Sequence, residues 1–90
     1  MGHPGVYILQ SKRNKRYYIG STNNLKRRFI DHEKGKVIAT KFIRPLEFKI
    51  FIECVTTEEA KKSEYRLKRY KSRKIIEKVT ESGVFPWNYS

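Results

Sequence analysis

Two short apolar runs near the start of the chain, Val6-Tyr7-Ile8-Leu9 and Tyr17-Tyr18-Ile19-Gly20, constrain its fold more than any other feature. Each has the length and side-chain composition of a strand rather than a helix. The linker between them is short, so the two pair as an antiparallel hairpin. Tyrosines stand at like places in both runs. The turn that joins them is polar, with Asn14 as the turn residue and Lys12, Arg13, Lys15 and Arg16 around it. A cationic turn of this kind suits a phosphate-facing edge and equally a solvated loop.

The rest of the chain supplies what a hairpin needs to become stable. Ser21-Thr22-Asn23-Asn24 is a polar helix start, followed at helical spacing by Leu25, Phe29 and His32 on one stripe, with Arg28 at its side and Gly35 as the end. A basic link runs from residue 36 to 45, with Val37, Ile38, Phe42 and Ile43 as apolar anchors. Residues 48–55 alternate as a third strand, placing Phe48, Ile50, Ile52 and Cys54 on one face and Lys49, Phe51, Glu53 and Val55 on the other. Thr56 with Glu59 forms a capping box that opens a long helix. Ala60, Glu64, Leu67 and Lys71 share one face of it, Ser72 starts a second helix through Ile75, Ile76 and Val79, and Gly83 ends the helical region. The expected class is α+β: a small three-stranded antiparallel sheet flanked by helices, in the order β-β-α-β-α-α. The domain spans residues 1–83. Residues 84–90 form a short aromatic tail (Phe85, Trp87, Tyr89) expected to pack back on it.

Ninety residues make one domain with one modest core. Lys and Arg number 21 against 9 acids, a formal net charge of +12, while 38% hydrophobic content is enough to fold. So much positive charge implies a polyanionic partner, nucleic acid before an anionic membrane surface. The single cysteine, Cys54, excludes an internal disulfide, and it lies in an apolar run as a buried, inert thiol. Neither a membrane-length apolar run nor a secretory pattern is present, and Val6 occupies the place a myristoylation signal gives to Ser or Thr. A cytoplasmic protein is expected.

Phosphodiester hydrolysis needs a base for water, a cation for charge developing on phosphate, and a metal or acid for the leaving oxygen. Tyr7 is a candidate base, its phenol made more acidic by Arg28 or a metal, although a tyrosine in a strand is more often core. Arg28 is a candidate phosphate clamp because its planar fork matches phosphate oxygens. Arg27 and Lys26 point elsewhere on the helix and read as backbone-contacting or solvated cations. His32, one turn beyond Arg28, can relay a proton. Glu64 lies on the inward face, so burial demands a partner: either Lys68 one turn on or a divalent cation.

Together these residues resemble the GIY-YIG nuclease superfamily. Gly5-Val6-Tyr7 and Tyr18-Ile19-Gly20 are similar to its two namesake motifs. The likeness continues through Gly20-Ser21-Thr22, Asn24-Leu25-Lys26-Arg27-Arg28 and His32 to Glu64 and Lys68, and it is nearest to the small stand-alone bacterial members. The resemblance implies a three-stranded sheet with helices and a metal-dependent endonuclease, its substrate DNA in preference to RNA. It implies Tyr7 as the water-activating tyrosine, Tyr18 as its support, Arg28 as the catalytic arginine, His32 as an accessory, Gly20 as a close-approach glycine, and Glu64 as the ligand of one Mg²⁺ or Mn²⁺. Larger relatives carry an asparagine after the glutamate. This chain has Arg73, Lys74, Ile75 and Ile76 there, and Asn88 comes too late. The alternative reading is a non-catalytic, basic nucleic-acid-binding module of the same fold. A weaker third is an interaction or ribosome-associated factor using the aromatic tail.

Overall fold

The computed structural model describes residues 2–88. Met1, considered above for lipid attachment, and Tyr89 of the tail lie outside them. Strand β1 (Gly5–Ser11) and β2 (Tyr17–Thr22) form the hairpin, followed by α1 (Leu25–Glu33), a short α2 (Ile38–Lys41), β3 (Leu46–Glu53), α3 (Thr57–Lys68), α4 (Arg73–Ser82) and a 3₁₀ turn (Pro86–Asn88). This is the expected α+β order, with α2 added inside what the sequence presented as a loop.

The sheet order is β2-β1-β3, antiparallel throughout. The central strand β1 is therefore covered on both faces, which is why Val6, Tyr7, Ile8 and Leu9 are all buried. Alternation divides them. Val6 and Ile8 join Ile19, Ala60, Leu67, Ile76, Val79 and Phe85 in a core under α3 and α4. Tyr7 and Leu9 join Leu46, with Leu25, Phe29, Ile43 and Phe51 packed against them, under α1. The second cluster holds Tyr7, with Tyr18 packed against it. Phe85 belongs to the first, so the aromatic tail packs on the domain, where Trp87 stacks on it.

The helix ends follow local rules. Asn24 accepts from the Arg27 N–H at the start of α1, Thr56 from Glu59 at α3, and Ser72 from Ile75 at α4. Glu59 returns the capping contact to the Val55 N–H rather than to Thr56. Gly83, at φ +73°, ends α4.

Several sequence expectations need correction. The register slips between Ile8 and Leu9, which pair with Ile50 and Phe48, so Lys49 is an extra residue on β3. The bulge moves Phe48 to the Tyr7 side of the sheet, where its ring meets Phe29 edge-on. Ile50 and Ile52 stay on the opposite side, so Phe48 does not share their face. Asn14 lies in the hairpin turn as expected and its side chain accepts the Arg16 N–H, while Lys15 takes the left-handed conformation at φ +65°. In the link after α1, Val37 is buried and Ile43 packed, but Ile38 and Phe42 face solvent. Lys71 lies past the end of α3, exposed and with φ +49°, and so does not share its inward face. Cys54 is buried and free, and burial pushes its thiol pKa up.

Candidate active site

Tyr7 stands at the centre of β1 with its phenol under α1 and its ring 1% exposed. Its partner across β2 is Gly20. A Cβ at that position would sit 2.5 Å from both Cζ and the hydroxyl oxygen of Tyr7. Van der Waals contact needs about 3.5 Å or more, so only glycine leaves the phenol in place.

Helix α1 delivers the next two groups. Arg28 Nε donates to the Tyr7 oxygen at 3.4 Å, and His32 Nε2 lies 2.8 Å from the same oxygen. His32 is fully buried, and its other nitrogen, Nδ1, lies 2.7 Å from Thr40 Oγ1, itself fully buried. A chain of hydrogen bonds therefore runs Tyr7–His32–Thr40, out of sight of water. The Tyr18 ring closes it from β2, 6.2 Å from Tyr7 and 5.0 Å from His32 between centroids.

Burial governs the protonation of this group. It pushes the Tyr7 phenol up to about 12, outweighing the Arg28 hydrogen bond that pulls the other way. The expectation that Arg28 would make this phenol more acidic than usual is thus overturned: one partly exposed cation does not offset the loss of water around the ring. Burial also pushes His32 down to about 4, assisted by the Arg28 charge and opposed by Asp31. At neutral pH the phenol is protonated and the imidazole neutral. A neutral imidazole holds one proton, so one ring nitrogen donates and the other accepts. The ring can receive the Tyr7 proton at Nε2 only when Nδ1–H donates to Thr40 Oγ1.

Glu64 reaches the site from α3, around the edge strand β2. The Ser21 hydroxyl donates to its Oε1 at 2.5 Å, and Lys68 Nζ holds its other oxygen. That ammonium also lies 6.0 Å from the centroid of the Tyr18 ring, which joins the glutamate's surroundings to the tyrosine pair. The residue carries its negative charge close enough to oppose ionisation of Tyr7. Among the described residues no group of three or more His, Cys, Asp or Glu side chains gathers to hold a metal. A hard cation such as Mg²⁺ binds through one or two carboxylates, with waters and substrate phosphate completing its shell. Glu64 is a partly exposed hard-oxygen donor, and a single carboxylate suffices for such an ion shared with a substrate once Lys68 gives up the oxygen it holds.

Arg28 and His32 thus converge on the Tyr7 oxygen, the Tyr18 ring packs against Tyr7 and His32, and Glu64 flanks them. Lys26 and Arg27 are exposed on α1, and Lys12, Arg13, Lys15 and Arg16 are exposed at the hairpin turn. Lys68 is held as the ion-pair partner of Glu64. Asn88 lies in the 3₁₀ turn beside Phe85, apart from this group. Two participants escaped the sequence reading. Thr40 carried no signal, since a threonine in a basic link reads as loop. Ser21 stood in the helix-start cluster, where its contact with a residue of a distant helix left no local trace.

The family model for the GIY-YIG catalytic domain matches residues 3–77. The chain is also 38% identical over 78 residues to the UPF0213 protein OB0043 of Oceanobacillus iheyensis, a match covering 80% of this chain and 87% of that protein. No solved structure matches the chain.

Proposed function

This chain belongs to the GIY-YIG nuclease family, and from that premise we propose that it is a divalent-metal-dependent endonuclease acting on DNA in the cytoplasm, in repair or recombination. The observation that carries the proposal is the Tyr7 oxygen held between Arg28 and His32. A phenol near pKa 12 is an inactive base unless its own proton has somewhere to go. His32 Nε2, 2.8 Å away, is where that proton goes, and the negative charge building on the attacked phosphate offsets the burial that otherwise disfavours the imidazolium. As Tyr7 takes a proton from the attacking water, it passes its own to His32, so no free phenolate has to form first. Arg28 is placed to stabilise negative charge on the Tyr7 oxygen and then on the phosphate. Thr40 Oγ1 can accept from Nδ1–H, the arrangement that leaves Nε2 open to the proton.

Mg²⁺ or Mn²⁺ held by Glu64, when bound, supplies positive charge for the leaving oxygen. Lys68 has to turn from Glu64 toward the backbone as substrate arrives. The cations Lys12, Arg13, Lys15, Arg16, Lys26 and Arg27 give salt-dependent, sequence-independent affinity for phosphates. No helix of the described residues is long and apolar enough to cross a membrane.

The test is nicking of plasmid and branched DNA with Mg²⁺ or Mn²⁺ and with a chelator. Metal-dependent cleavage abolished by Tyr7→Phe and by Glu64→Ala is expected. Cleavage that survives both substitutions refutes the mechanism. The ion pair between Lys68 and Glu64 favours a second reading, a basic module that binds nucleic acid without cutting it. That reading predicts salt-sensitive binding and no metal-dependent cleavage, and turnover abolished by Arg28→Ala rules it out.

A further inference from the structure

An open cleft of about 450 Å³ lies apart from the tyrosine site, between the hairpin turn, the end of α1 and the segment entering β3. Arg13, Lys41 and Arg44 line it, with Glu33 as the opposing acid, and Phe42 stands in it. The Phe42 ring is 75% exposed, and Ile38, one helical turn earlier, is 86% exposed. An aromatic ring left in water on so small a domain is costly unless something covers it.

The walls of this cleft are tied down. Ser11, fully buried, donates to the Ile43 carbonyl at 2.6 Å and accepts the N–H groups of Arg13 and Asn14. The Lys12 N–H donates to the Pro45 carbonyl. Arg44 donates through Nε to the Lys41 carbonyl and through Nη1 to the Glu33 carbonyl, its guanidinium lying on the bare backbone of Gly35. The ring of Phe42 is therefore held on a fixed frame, and Lys41 Nζ lies 5.5 Å from its centroid. Three cations to one acid around an exposed ring is the composition that binds a nucleobase by stacking and its phosphates by charge.

We infer that this cleft is a subsite for an unpaired base in a single-stranded stretch of nucleic acid, with Phe42 as the stacking platform and Arg13 and Lys41 on the adjoining phosphates. The cleft sits at the Ser11 end of β1. Tyr7 to Ser11 is four steps of strand, about 14 Å at roughly 3.4 Å per residue. A strand stacked on Phe42 thus has a short span to cover, over the outside of the elements that bury Leu9, to come near the Tyr7 site. This deepens the nuclease reading by naming a substrate class, and it rests on that reading only for cleavage, not for binding.

The experiment measures fluorescence anisotropy of the full chain in chelator with three labelled ligands of equal length: a single strand, the same strand with abasic sites, and a blunt duplex. Phe42→Ala is expected to weaken single-strand binding about 5- to 150-fold, the range for loss of one stacked base. Abasic and duplex binding should change less than about 2-fold, since their affinity is carried by phosphate contacts. Phe42→Trp should restore single-strand binding, and quenching of 2-aminopurine in the strand should vanish in Phe42→Ala. Equal losses on all three ligands, or none, overturn the inference. So does Phe42-dependent dimerisation with unchanged oligonucleotide affinity, which would make a second copy the occupant. Phe42-dependent binding without cleavage by the wild type supports this subsite and removes the nuclease reading. Glu64-dependent cleavage with Phe42-independent binding does the reverse.

Discussion

Acidification should unfold this protein through His32. The ring is fully buried between Tyr7 and Thr40, and its pKa falls from 6.5 to about 4 on folding. A depressed native pKa means that the unfolded chain binds a proton more readily than the native one. The stabilisation is therefore complete above pH 6.5, and is lost as pH falls toward 4. The full gap is on the order of 3 kcal/mol at 1.36 kcal/mol per pKa unit. By pH 4.5 most of it is gone, about 2–3 kcal/mol and a large part of the stability of a small domain. The assay is urea denaturation at pH 7.5 and at pH 4.5, at fixed ionic strength, for the wild type and for His32→Gln. Glutamine can bond Tyr7 and Thr40 but does not titrate, so the two proteins share every other acid and base. The wild type should lose about 2–3 kcal/mol more than the variant across this window. Equal losses would refute the claim that the ring is neutral and sealed from water, and with it the proton path from Tyr7.

Three other outcomes follow from the same geometry. Gly20→Ala drives a methyl into the Tyr7 phenol and should cost about 1–3 kcal/mol in chemical denaturation, with cleavage lost because the phenol must move. Thr40→Val keeps the shape but leaves the buried Nδ1 of His32 unpaired, a cost of about 1–3 kcal/mol. Thr40→Ser should recover both stability and turnover, and ¹⁵N shifts of the His32 ring should report the tautomer in each variant. Arg28→Lys keeps the charge but loses the planar fork. Turnover should fall at least about 10²-fold while the melting midpoint barely shifts, because the side chain is only partly buried.

The local code of this chain determined its elements. Strand bounds were not fixed locally, for β3 runs Leu46–Glu53 and not 48–55, but the capping residues Asn24, Thr56 and Ser72 and the helix stop at Gly83 depend on neighbours within a turn or two. They were legible for that reason. So was the i,i+4 pair of Glu64 and Lys68, because helical spacing alone brings those side chains together. The membership of the candidate site, Tyr7, Tyr18, Arg28, His32 and Glu64, was proposed from residue chemistry and a family resemblance, and its wiring was not legible at all. Thr40 meets His32 only because α2 folds back on α1, and Ser21 meets Glu64 only because α3 packs beside β2. The bulge at Lys49 changed the face of Phe48, since register belongs to a pair of strands and not to one. Tertiary structure alone decided the direction of the Tyr7 pKa. The residue type sets a phenol near 10, and the nearby arginine suggests a lower value, but how much water remains around the ring depends on every element that covers it.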